Sequence, residues 1–234
     1  MAAIEKVRVL IVGDSGVGKT SLIHLICHNE PIANPYWTIG CSVECKLHEY
    51  KAGTLHQKDY FIELWDIGGW SAHTNSRSIF YNPVHGVILV HDLTNRKTEQ
   101  NLRKWLGEVL NKEQKERIEG HDYDPEIFAG TQVPILLIGT KVDMAESVQK
   151  SRRRSGICEE CGADEITLDC TQVKHLAPGT SNAVTLSRFF DKVIERKYYA
   201  RESNATSINA AFTSPIQVGG LFQDRRRVIN TKND

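Results

Sequence analysis

Gly13-Asp14-Ser15-Gly16-Val17-Gly18-Lys19-Thr20 is the stretch on which the fold turns. Upstream, Val7–Val12 reads as a fully buried strand; downstream, Thr20–His28 reads as a helix. In that context the octapeptide fits G-x-x-x-x-G-K-[ST], a strand-loop-helix phosphate cradle. Its glycines let the backbone wrap an anion, so the amides of Asp14, Ser15, Gly16, Val17, Gly18, Lys19, Thr20 and Ser21 and the helix N-terminus face phosphate. Lys19 adds a point charge near the β- and γ-phosphates, and the Thr20 hydroxyl is a ligand for Mg²⁺.

Working outward, Ser42–Tyr50 and Asp59–Asp66 flank Lys51-Ala52-Gly53-Thr54 and read as a hairpin with an extended turn. Val84–Asp92 and Val133–Gly139 read as buried strands, and Asn101–Asn111 and Val184–Tyr199 as helices. Strands alternating with helices predict a mainly parallel sheet covered on both faces, with ligand loops at the carboxyl ends of its strands. Residues 1–200 make one α/β domain, with a surface insertion near 112–131 whose Gly120 and Gly130 oppose continuous helix. Residues 201–234, rich in Ser, Asn and Thr before Gly219-Gly220, read as a flexible C-terminal tail.

A phosphate cradle does not name the base. Gly139-Thr140-Lys141-Val142-Asp143 follows a buried strand and fits the guanine-reading pattern [NT]-K-x-D. Asp143 can accept from guanine N1–H and its 2-amino group, which adenine cannot supply, while the Lys141 stem lies over the ring. In Trp65-Asp66-Ile67-Gly68-Gly69, Asp66 is placed to hold Mg²⁺ through water and the Gly69 N–H to sense the γ-phosphate. Thr38, 18 residues after Thr20, brings a second hydroxyl to the metal. Asp169, Cys170 and Thr171, after a short strand, offer backbone amides to the guanine carbonyl.

These five elements, in this order, resemble the Ras-superfamily small GTPases over roughly residues 5–200. The wording of Gly13 to Leu22, of Trp37-Thr38-Ile39-Gly40 and of Gly86 to Asn95 is Rab-like. Asn34 to Thr38, Leu168 to Thr171 and Ser181 to Glu195 resemble a divergent Rab-like branch. The resemblance implies a P-loop small G domain with a six-stranded sheet. It also implies a GTP/GDP switch with Mg²⁺, effector and regulator proteins, a role in signal transduction or intracellular transport, and slow hydrolysis involving Lys19, Thr38 and Gly69. Departures are informative. Trp70 stands where an active member carries the glutamine that orients water, which raises the alternative of an interaction module with negligible turnover. Pro31 replaces an aromatic that packs on the guanine edge, which implies weaker stacking and faster exchange, and Thr171-Gln172 replaces a Ser-Ala pair. Residues from Met144 to Glu165 carry the run Arg152–Arg154 and two glycines where the family has an amphipathic helix.

Composition limits the rest. Lys+Arg and Asp+Glu both total 29, so no net field draws the chain to nucleic acid or an anionic membrane, and Arg152–Arg154 and Arg225–Arg227 read as solvated runs. The early apolar run is only a strand long, Ala2 excludes myristoylation and the final residues offer no cysteine to prenylate. The expectation is a cytoplasmic protein with reduced thiols, reaching membranes only through partners. Cys158-Glu159-Glu160-Cys161, with Cys170 and His175 downstream, is a weak zinc signal because the later spacing is irregular; ordinary loop thiols are expected. Exposed aromatics such as Trp37 and Trp70 could support a homodimer.

Overall fold

The computed structural model describes residues 4–110, 131–145 and 155–200. The insertion near 112–131 (all but Thr131), the tail 201–234 and both arginine runs lie outside these described residues. The elements are β1 (Glu5–Val12), α1 (Lys19–His28), β2 (Cys41–Tyr50), β3 (Lys58–Ile67), α2 (Thr74–Arg77) and β4 (Gly86–Asp92). There follow α3 (Arg96–Gln100), α4 (Leu102–Leu110), β5 (Ile135–Thr140), α5 (Gly156–Cys161), β6 (Asp164–Thr167) and α6 (Ser181–Ile194).

Six strands form one sheet in the order β2-β3-β1-β4-β5-β6, parallel except for the β2–β3 hairpin. Every residue of β4 and β5 is buried, as parallel strands covered on both faces must be. Along β1 the two-residue alternation divides the core. Val7, Val9 and Ile11 pack with Leu22, Ile23 and Ile26 of α1 and with Phe189, Phe190 and Val193 of α6. Leu10 and Val12 face the other way, toward Leu102, Trp105, Leu106 and Val109 of α4 and Ile157 of α5.

Three expected boundaries move. The helix expected over Asn101–Asn111 is α4, Leu102–Leu110 among the described residues, and a separate short α3 precedes it; between them the Asn101 side chain reaches Asp14 (2.6 Å). The last helix starts at Ser181 because the Thr180 side chain caps it, accepting from the Ala183 N–H at 3.2 Å, and its final turn, Glu195–Tyr199, is π-helical. Within the stretch Met144 to Glu165, the described part holds α5, so Cys158 and Cys161 lie on a helix and not in a loop. Among the described residues, no helix is long and apolar enough to cross a membrane.

Candidate functional site

The carboxyl ends of β1, β3, β4 and β5 open on one rim, where a cleft of about 470 Å³ is lined by Ser15, Gly16, Gly18, Lys19, Thr20, Ser21, Thr38, Gly69, Trp70 and Lys141. Lys19 is 6% exposed, and its ammonium donates to the carbonyls of Gly13 (2.8 Å) and Asp14 (2.9 Å). Burial pushes its pKa down to about 8, against the opposing pull of Asp66 and Asp14. A cation that has lost water and holds only carbonyl oxygens is primed for an anion.

Beside it, three oxygens from three segments converge. The Thr20 and Thr38 hydroxyls donate to one oxygen of Asp66, Oδ2, at 2.6 and 2.7 Å, and lie 3.1 Å from each other. Asp66 is 2% exposed, and its other oxygen, Oδ1, has no hydrogen-bond partner among the described residues. Gly69 closes over the loop from the far side: a Cβ there would sit 2.5 Å from the Ser15 nitrogen. Only glycine permits that approach.

The Gly69 segment is fixed from behind by a buried cation. Arg77, on α2, donates to the Trp70 carbonyl (3.0 Å) and to both oxygens of Glu108 (3.1 and 2.9 Å), with its guanidinium 4.2 Å from the Trp105 ring centroid. Trp105 in turn donates its indole N–H to Asp14 (2.8 Å), whose second oxygen accepts from Asn101. The Trp70 side chain itself stays 58% exposed at the cleft mouth, edge-on to His73.

A second recess of about 200 Å³ shares Gly18, Ser21 and Lys141 with the cleft and adds Ile32, Thr140, Asp143, Asp169, Cys170 and Thr171. Thr140 is fully buried, its hydroxyl 2.6 Å from the Val17 carbonyl and 3.0 Å from that of His91, which pins β5 to the glycine loop. Lys141, in a left-handed conformation (φ 58°), reaches Asp92 at 2.6 Å. Burial alone would raise the Asp92 carboxyl, but the bonds from Lys141 and Thr94 outweigh it and hold the pKa below its ordinary value. Asp169 accepts from the amide and hydroxyl of Thr171, both at 2.7 Å. Burial, reinforced by the Asp169 charge, pushes the Cys170 thiol up to about 12, so it is protonated.

Most of the expected residues therefore meet on one rim, with three qualifications. Val17 is buried in the core, Asp14 faces α4, and Val142 sits outside both recesses with its N–H toward the Leu168 carbonyl (3.5 Å). The Thr171 amide is taken up by Asp169 (2.7 Å) and the Asp169 amide by His175 Nδ1 (3.4 Å), while Cys170 lines the recess between them. Ile32, not Pro31, lines the second recess. Arg77, Asn101 and Trp105 were not foreseen, since no local pattern marks a residue that acts across the fold, and neither was His73, which lines the cleft beside Trp70. Cys158 packs in the core and Cys161 against it, and among the described residues Cys158, Cys161, Cys170 and His175 do not assemble as a metal-holding group.

The family described as Ras of Complex, Roc, domain of DAPkinase matches residues 8–119. Rab-like protein 3 of Homo sapiens is 50% identical over 237 residues, covering 97% of this chain and 95% of that protein. The Xenopus tropicalis Rab-like protein 3 is 51% identical over 214 residues, covering 87% and 91%. Small GTPase LIP1 of Arabidopsis thaliana is 33% identical over 232 residues, covering 86% of this chain and 66% of that protein. With half of all residues shared across almost its whole length, and with the sheet order and rim that such a domain requires, the chain belongs to the Ras-superfamily small GTPases, in the Rab-like protein 3 family.

Proposed function

We propose that the chain is a GTP/GDP switch that uses Mg²⁺ and hydrolyses GTP slowly. The observation that carries this reading is the convergence of Thr20, Thr38 and Asp66. Mg²⁺ takes hard oxygen ligands in an octahedron of about 2.1 Å radius, whose edges are about 3 Å. The 3.1 Å separation of the two hydroxyls matches such an edge, and the orphaned buried Oδ1 of Asp66 is an acceptor suited to a metal-bound water. Thr20 and Thr38 would hold the ion directly and Asp66 through water; when bound, it would neutralise charge on the β- and γ-phosphate oxygens.

The chain's own groups divide the remaining tasks. Lys19 binds β- and γ-phosphate oxygens in exchange for its carbonyl partners. The Gly69 N–H binds the γ-phosphate, so its segment and that of Thr38 respond to loss of that group. Asp143 reads guanine N1–H and the 2-amino group, Lys141 covers the ring, and the Cys170 amide meets the base carbonyl, with Thr140 and Asp169 holding their loops. The reaction is GTP + H₂O → GDP + phosphate. The rim of Tyr36, Trp37, Ile39 and Trp70 is exposed apolar surface, which suits an effector, a regulator or a second copy of the chain.

One observation favours a second reading, a nucleotide-binding module that acts by binding with negligible turnover. Trp70 has one N–H donor and no acceptor, so it cannot orient water as a glutamine amide does. Identification of the co-purifying nucleotide, followed by single-turnover phosphate release, tests both readings. Bound GDP or GTP with slow release supports the switch, bound GTP with none supports the module, and bound ATP overturns both.

A further inference from the structure

In the carboxyl-terminal half of α1, His24 and His28 stand one helical turn apart, their rings 4.5 Å between centroids. Glu44 reaches them from β2: its Oε2 lies 2.9 Å from His28 Nε2, and ligand atoms of all three residues lie within 4.8 Å of one another. Glu30, just past the helix, places a carboxylate oxygen 3.6 Å from His24 Nε2. We propose that His24, His28 and Glu44 form a zinc site, with Glu30 or water as the fourth ligand.

The donor chemistry favours this metal. Two imidazoles and a carboxylate suit Zn²⁺ in a tetrahedral set, whereas Mg²⁺ and Ca²⁺ demand oxygens alone. At about 2.1 Å from the ion, tetrahedral ligands sit about 3.4 Å apart, so rotation of exposed side chains brings the three atoms into place. His28 is half-exposed and Glu44 partly exposed, so an ion has access. Lys46, two residues from Glu44 along β2, does not compete for the carboxylates, because its ammonium is bound to the Ile26 carbonyl at 2.9 Å.

Placement gives the site its consequence. His28 ends α1 and Glu44 lies in β2, so the metal ties together the two ends of residues 29–43, the segment that carries Tyr36, Trp37 and Thr38. A clasp at those ends limits the excursions of the segment without touching the nucleotide. The structure thus contains a lever on the Thr38 loop that is separate from the phosphate site.

The test is a calorimetric titration of tag-free, full-length protein with ZnCl₂ in excess Mg²⁺ and GDP, repeated with Co²⁺ so that visible absorption reports a tetrahedral site. One Zn²⁺ per chain is expected, weakened at least about tenfold by His28→Ala and by the conservative Glu44→Gln, since even outer-shell changes at metal sites cost about that much. A Cys158→Ser/Cys161→Ser variant should bind as the parent does. Failure of the parent to bind zinc, unchanged binding by a His28→Ala/Glu44→Gln variant that melts normally, or loss in the cysteine variant would overturn the site.

Discussion

Replacing Arg77 with Met should release the whole Gly69 segment, and the cost can be worked from its contacts. The guanidinium is 2% exposed; one of its nitrogens bridges both Glu108 oxygens, the other donates to the Trp70 carbonyl, and the group lies over Trp105. Removing one partner of a buried ion pair costs about 3–5 kcal/mol, mostly because the other charge is stranded. Here Glu108 keeps the Tyr81 hydroxyl (3.1 Å) and some solvent, while the methionine retains part of the packing on Trp105. These offsets reduce the expected loss to about 2–4 kcal/mol, or a fall in Tm of about 6–12 °C near the middle of that range. Thermal melting of Arg77→Met, Glu108→Gln and the double variant is the assay. Because Glu108→Gln removes the stranded charge, the double variant should be more stable than the sum of the two losses by at least about 1 kcal/mol. Hydrogen exchange at Ser71–Phe80 should also accelerate. Strict additivity, or a loss below about 1 kcal/mol, would show that Arg77 does not hold the segment.

The other predictions concern the nucleotide. Asp143→Asn should shift preference from guanine to xanthine nucleotides, because an amide offers a donor where the base now presents a second carbonyl; equal GTP affinity in competition assays would contradict the assignment. Nucleotide-free protein should gain stability as pH rises from about 8 toward 10.5, since Lys19 loses its proton in the folded chain while the unfolded chain still binds one. Bound phosphate raises the folded pKa, so Tm measured across this range should show the gain disappear with GDP. Intrinsic hydrolysis should be on the order of 10⁻⁴ per second or slower. Trp70→Gln should raise it, and phosphate release unchanged by that substitution would mean that the Gly69 segment is built for binding alone.

The legible parts of the fold were those whose cause is local. Val7–Val12 and the strands ending at Asp92 and Thr140 are apolar runs bounded by polar loops, and the glycine loop between β1 and α1 has one conformation compatible with its spacing. Residues joined through space were not legible. The break at Asn101 and the pull of Trp105 on Asp14 depend on the β1 loop lying over α4, which no window of sequence contains. Likewise His24 and His28 share a helix face by spacing alone, but only the packing of β2 against α1 adds Glu44.

The two ends of the site are built differently, and that difference has a physical consequence. At the phosphate end each group is fixed by another: Asp66 by two threonines, Gly69 by the Asp14–Ser15 backbone, Trp70 by Arg77, and Asp14 by α4. Where we propose the base sits, Lys141 is held by Asp92 and Thr140 by two carbonyls, but Ile32 offers only an aliphatic wall where an aromatic ring would cover more of guanine. Preorganised charge loses little on binding, whereas a thin apolar wall contributes only the area it covers. Affinity should therefore reside mainly in the phosphates and Mg²⁺, and removing the metal should weaken GDP far more than trimming the base contacts does. A chelator that leaves GDP release unchanged while Ile32→Ala accelerates it would reverse this ordering and place the main anchor at the base.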